Sequence, residues 1–188
     1  MEYLYYEAPS LDRKEDAIEY IKEHLEYNSR INGSGGLDKY LEDYEGWLEY
    51  LERCKKPTED RVTGLTYFLV RESDNKIIGM ANIRLYLNES LKREGGHIGY
   101  GIRPTERRKG YNKINLYRAL EVCEEHAIEE VVLDCNKENI ASSKTMIALG
   151  GIKTQERMHN GVVVERYAIN VSDSLNKYKD LYGKQYQK

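Results

Sequence analysis

His97-Ile-Gly-Tyr-Gly-Ile-Arg-Pro-Thr-Glu-Arg-Arg-Lys-Gly-Tyr-Asn112 is the stretch that settles the fold of this 188-residue chain. An alternating apolar run leads into a tight basic turn holding a glycine, and an amphipathic segment opens directly after it. That order predicts a buried strand over 97–102 and a helix over 110–127, where Leu116, Ala119, Leu120, Cys123 and Ala127 recur at helical spacing. A helix start gathers unpaired N–H groups and the positive end of the macrodipole, which suits a phosphate. Arg107, Arg108 and Lys109 crowd the same turn, and Gly110 lets backbone come close to a ligand. The same residues also make an ordinary strand-to-helix connection with solvated side chains, so the rest of the chain has to decide.

C-terminal to this stretch, Val131–Cys135 is a short apolar run suited to a buried parallel strand. A helix from about Asn139 to Leu149 stops at Gly150-Gly151, a glycine C-cap signal. Strands over about 152–158 and 162–170 join through Asn160-Gly161, a hairpin turn pair. The polar residues 171–188 read as a peripheral tail. N-terminal to it, residues 3–8 make a first strand. Ser10 or Asp12 can cap a helix whose Ala17, Ile18, Ile21 and Leu25 form its apolar stripe. After the breaker Asn32-Gly-Ser-Gly-Gly36, a second helix places Leu37, Leu41, Tyr44, Leu48 and Leu51 on one stripe and ends near Pro57. Strands follow at Leu65–Val70 and Ile77–Leu87, then a polar loop over 88–96. The expected fold is α/β (α+β): one domain over 1–170 with a mixed, mostly antiparallel twisted sheet and helices on both faces.

Composition narrows the function. No run of about 18 apolar residues could cross a bilayer, and the acidic N-terminus is not a signal peptide. Cys54, Cys123 and Cys135 lack metal-ligand spacing, so neither a metal nor a disulfide framework is expected, and a reducing cytoplasm fits. A net charge of −3 argues against a general nucleic-acid binder.

Two motifs carry a resemblance. Arg107-Arg-Lys-Gly110-Tyr-Asn112 is similar to the Arg/Gln-x-x-Gly-x-Gly/Ala signature of the GNAT superfamily of acyl-CoA-dependent N-acetyltransferases, with Asn112 departing from the small residue. Asn139-Ile-Ala-Ser142-Ser-Lys-Thr-Met-Ile-Ala-Leu-Gly150 resembles the family's Asn-x-x-Ser/Ala pattern after the next strand. The pattern looks closest to the ribosomal-protein-alanine acetyltransferase-like branch. The resemblance covers about residues 64–168 and implies a strand splay that receives coenzyme A. It implies acetyl-CoA as co-substrate, held by Gly101, Ile102, Arg103, Arg107, Arg108, Lys109, Gly110, Tyr111, Asn112 and Lys113. Asn139 and Ser142 would then lie along the pantetheine arm.

Transfer from a thioester to an amine needs a proton acceptor, an oxyanion stabiliser and a donor for the departing thiolate. His97 stands where the family often has a glutamate and titrates near neutrality, so it is the candidate catalytic base; a hydrogen-bonded strand-end histidine is the alternative. The resemblance also implies pantetheine pairing with exposed backbone near Gly99 and Gly101, with an N–H around 101–103 polarising the carbonyl. The position where many relatives carry an acidic tyrosine is Met146, which cannot donate a proton. Tyr100 and Tyr111 are other hydroxyl donors, though packing is the favoured reading of each. The function implied is acetyl transfer to a primary amine of a small molecule or peptide, without nucleic acid or membrane and with a homodimer as an option. A non-catalytic acyl-CoA-binding module is the competing reading. The carboxylates of the two N-terminal helices suit a cationic acceptor, or are simply a solvated face.

Overall fold

The computed structural model describes residues 2–59 and 61–183. Four strands, β1 (Leu4–Glu7), β2 (Gly64–Arg71), β3 (Lys76–Arg84) and β4 (Ile98–Ile102), form one sheet in chain order. Three more, β5 (Glu130–Asn136), β6 (Ile152–His159) and β7 (Val162–Asn170), form a second sheet in the order β5-β7-β6. Every ladder is antiparallel. The expectation of a parallel partner for 131–135 is therefore corrected: β5 pairs with β7, from Glu130 against Asn170 to Asn136 against Val164. The Asn160-Gly161 turn is as expected, both residues taking positive φ (46° and 76°), which matches the twist of a tight hairpin.

Helices cover both faces. α1 (Lys14–Glu26) and α2 (Tyr44–Cys54) bury Tyr20, Ile21, Tyr44 and Trp47 against Phe68, Val70, Ile77 and Met80. On the opposite face α4 (Tyr111–Glu125) and α5 (Ile140–Ala148) pack Leu116, Leu120, Cys123 and Met146 on Ile83, Ile98, Val131 and Leu133. A bulge between Leu69 and Val70 shifts the register against β3, which is why Ile77 and Met80, three apart, reach the same core.

Several expected boundaries move, each for a physical reason. Neither Ser10 nor Asp12 caps α1 through its side chain; a 3-10 turn over Leu11–Arg13 leads into the helix instead. Leu25 is 56% exposed while His24, one position away, is buried with its Nδ1 2.9 Å from the Tyr20 carbonyl and its ring 4.5 Å from that of Tyr20. The second helix starts at Tyr44 rather than Leu37, because the Asp43 carboxylate accepts the Gly46 N–H at 2.9 Å and caps it. The loop 88–96 contains a short helix, α3 (Glu89–Arg93), capped by Asn88.

The polar tail is also corrected: α6 (Val171–Tyr178) buries Val171 and Leu175 in the α4 core, and Ser174 Oγ donates to the Leu149 carbonyl at 2.7 Å. Residues 184–188 of that tail lie outside the described residues. Among the described residues no helix is long and apolar enough to cross a membrane, and no cluster of side chains could hold a metal ion.

Candidate functional site

The two sheets meet at a fork. Among the described residues, His97 N–H to the Val132 carbonyl, at 2.8 Å, is the one backbone bond joining the β4 strand to β5, beside an isolated bridge of Gly96 with Leu133. Beyond that point β4 keeps only β3 as a partner. Arg84 N–H donates to the His97 carbonyl at 2.8 Å and Arg103 N–H to the Ile78 carbonyl at 2.9 Å, so the odd-numbered residues bond toward β3. In an antiparallel ladder the intervening residues turn their polar groups to the other edge. The N–H groups of Tyr100 and Ile102 therefore face the open side of the fork. The Ile102 carbonyl confirms the sense, since Arg107 Nε reaches it at 3.0 Å.

From Ile102 the chain runs through a 3-10 turn, Pro104–Glu106, into two residues of positive φ, Arg108 (65°) and Gly110 (84°). Gly110 is the N-cap of α4 and has no side chain to cap it. Among the described residues the backbone N–H groups of 108–112 donate to no protein acceptor. A Cβ built on Gly110 meets nothing within 4 Å, so the space above these amides is open. Asn112 Oδ1, in the first turn, is buried without a partner.

The basic cluster divides on inspection of its contacts. Arg107 is committed to the Ile102 carbonyl and, through Nη2, to Ser29 Oγ at 2.6 Å. Lys109 pairs at 2.7 Å with Glu106, a buried carboxylate that also holds Arg71. Arg108 is exposed at the turn and Lys113 is half-buried at the start of α4. Tyr111 turns away, its hydroxyl bonded to the Glu2 carboxylate.

Arg103 is corrected as a coenzyme contact. Its side chain is fully buried against α1, with Nε 2.7 Å from Glu23 and Nη2 2.9 Å from Glu19, and its N–H belongs to β3. Of the N–H groups near 101–103, the one on the open edge is therefore that of Ile102. Gly101 and Gly99 also have a different use. A Cβ on Gly101 would stand 3.0 Å from the Asn32 carbonyl, and one on Gly33 (φ 77°) would meet the Gly99 carbonyl at 2.8 Å. These glycines let the loop between α1 and α2 lie flat on the β4 strand.

His97 caps the fork. Its Nδ1 accepts the Val132 N–H at 3.0 Å, so the neutral ring carries its proton on Nε2. Burial lowers its pKa below the usual histidine value, and the cations Arg84 and Arg166 push the same way. The lone pair expected to take a proton is thus holding backbone.

Across the fork, Asn139 Oδ1 caps α5 by accepting the Ser142 N–H at 3.2 Å. Ser142 Oγ lies 3.2 Å from Tyr100 OH, the one side-chain bond between β4 and α5 among the described residues. Burial raises the Tyr100 hydroxyl well above the ordinary tyrosine range, so it stays protonated. Met146 lies fully buried in the core beneath. Cys135, whose thiol burial pushes up to about 11, is inert packing. The Tyr100–Ser142 contact was not legible beforehand, because nothing in one sequence links a strand residue to a helix two elements later.

A family model described as an acetyltransferase (GNAT) domain matches residues 11–152. No curated protein matches the chain in sequence. Among solved structures, a ribosomal-protein alanine acetyltransferase from Vibrio fischeri is 13% identical, with TM-score 0.67 over 92% of this chain and 96% of that one. Mutant forms of the spermidine/spermine N-acetyltransferase SpeG from Vibrio cholerae are 16% identical, with TM-score 0.63 over 93% and 98%. The microcin self-immunity acetyltransferase MccE, solved with acetyl-CoA and AMP, is 16% identical, with TM-score 0.64 over 90% and 93%. At these identities the structures show the shared fold.

Proposed function

The chain belongs to the GNAT acetyltransferases, and from that premise we propose that it transfers the acetyl group of acetyl-CoA to a primary amine by direct attack in a ternary complex. One observation carries the reading. Free N–H groups on the open edge of β4 and the partnerless N–H groups of 108–112 form two sets of donors, one at the fork and one at the start of α4, separated by residues 103–107 whose N–H groups are used within the protein. The residues present fit the coenzyme: an uncapped helix start, open space above Gly110, and the orphaned Asn112 side chain, whose carboxamide offers an N–H once turned about.

Bound there, acetyl-CoA supplies an acyl group activated as a thioester. The amides of 108–112 and the Arg108 and Lys113 side chains bind the phosphates. Ile102 N–H polarises the carbonyl, a contribution of about 100- to 1000-fold for a well-placed donor. Tyr100, kept neutral by burial and oriented by Ser142, gives its proton to the departing thiolate in the place that Met146 cannot fill. His97 holds the fork open at its root rather than taking the amine proton, which leaves the attacking amine to water.

The test is calorimetric titration with acetyl-CoA alongside thiol release across a panel of amines and peptides, in the wild type and in Gly110→Glu. Saturable binding with thiol release, both lost in the variant, supports the reading. The buried Met146 favours a second one, a non-catalytic acyl-CoA-binding module, which gives saturable binding and no thiol release with any amine.

A further inference from the structure

A groove of about 590 Å³ opens between α3 and β6, lined in part by Lys92, Arg93, Glu94, Arg157 and His159. Its Arg157 reaches the back of the fork. Val131, Leu133 and Cys135 of β5 point into the core, so Asp134 points to the opposite face, where its carboxylate accepts the Gly95 N–H at 2.8 Å. Two arginines converge on that one carboxylate: Arg157 Nη2 at 2.6 Å and Arg166 Nε at 2.7 Å. Burial pulls the Asp134 carboxyl upward, and these donors outweigh it, so it is ionised and fully used. The second nitrogen of Arg157, Nη1, is buried with no partner. A third arginine, Arg84, donates from Nη1 to the Gly96 carbonyl at 3.1 Å and has no carboxylate partner among the described residues. Burial lowers its pKa, the mark of a cation without compensation.

The opposing charges are few. Glu94 lies 2.8 Å from His159 Nε2, and Glu89 is spent on Lys92 at 2.8 Å in an exposed pair. The groove therefore holds an excess of arginine over carboxylate with one guanidinium nitrogen unspent. Arg84, which does not line the groove, reaches the sheet face that carries Gly99, its Nη2 3.9 Å from a Cβ built there.

We propose that this groove is a subsite for an oxyanion, a carboxylate or a phosphate, carried by the amine acceptor and read by Arg157 with Arg93 and Lys92 at the rim. Its assignment to the acceptor rests on the acetyltransferase reading; the anion subsite itself does not. The acceptor class is an amine bearing a nearby negative charge, in place of the cationic compounds that the acidic helices suit.

Two matched probe pairs test it on the full chain: phosphoethanolamine against ethanolamine, and γ-aminobutyrate against butylamine. In NMR titrations the anionic members shift the Gly95 N–H and Arg157 Nε–H saturably and their mates do not. Arg157→Gln weakens that binding about tenfold, the worth of a charge-assisted bond, with a smaller loss in Arg93→Gln, an exposed rim site with no carboxylate contact. Equal shifts from the uncharged mates, no saturable shift at all, or unchanged affinity in both variants would overturn the subsite. In thiol-release assays the anionic members are expected to show the higher kcat/KM. Preference for their mates while the anions still bind would remove the acceptor assignment. Failure to bind acetyl-CoA by calorimetry would end the acetyltransferase reading and leave the NMR result to judge the groove.

Discussion

Tyr100 and Ser142 meet hydroxyl to hydroxyl at 3.2 Å across the gap between β4 and α5, where the two sheets no longer share backbone bonds. The pair holds a protonated hydroxyl between β4 and α5. Tyr100→Phe removes that proton and little volume. It is expected to lower kcat about 100-fold, the low end for a general acid, with acetyl-CoA affinity by calorimetry within about twofold of wild type. Ser142→Ala, which only frees the donor, should lose less. A Tyr100→Phe enzyme with unchanged kcat would remove the tyrosine from the chemistry.

Gly110 adopts a φ of 84° with open space around it. Gly110→Ala should cost about 1 kcal/mol of stability from the left-handed backbone alone, read as a shift in denaturant midpoint. Gly110→Glu adds a negative charge beside the partnerless amides, and its acetyl-CoA affinity should fall at least about tenfold through charge repulsion.

His97 distinguishes positioning from proton transfer. Asparagine can offer Oδ1 where Nδ1 now accepts the Val132 N–H. His97→Asn should therefore keep kcat within about threefold, while His97→Ala leaves a buried amide unpaired at about 1–3 kcal/mol. A collapse of kcat in His97→Asn, with the pH–rate limb near 6.5 lost, would restore the histidine as the base.

His24 and His97 both titrate below the usual 6.5 because burial disfavours their charged forms. The unfolded chain then binds more protons than the folded one just below pH 6.5. Stability is expected to be full above that value and to decline as the pH falls through the lowered folded values. Melting temperatures measured downward from pH 7 check this, and His97→Asn should flatten part of the decline.

Arg103 is 2% exposed in its side chain and Glu23 12%, whereas Glu19 is 65% exposed. Glu23→Ala strands a buried guanidinium and should cost about 3 kcal/mol in urea unfolding. Glu19→Ala breaks a solvent-screened contact and should stay within about 1 kcal/mol.

Much of the architecture was legible because it is local. The helix over 111–125, the Asn160-Gly161 hairpin and the Gly150 stop follow from periodicity and backbone preference within a few residues. The misplaced boundaries were not local. His24 rather than Leu25 is buried because Tyr20 lies under it, and α2 begins at Tyr44 because Asp43 caps it. At the candidate site the turn at Gly110 and the helix start near Asn139 could be named in advance. The fates of Arg103, Arg107 and Lys109 could not, since their partners Glu23, Ser29 and Glu106 are set by packing; two of them come from the α1 region.

By itself the sequence determined the strands, the helices α1, α4 and α5, and that a helix start bearing Gly110 follows the β4 strand, because apolar period and glycine conformation act over neighbouring residues. The tertiary structure alone decided that β4 and β5 part beyond His97, that Tyr100 faces Ser142, and that two arginines converge on one aspartate. Those relations join residues far apart in the chain, and only the geometry of packed sheets brings their charges and donors within reach of one another.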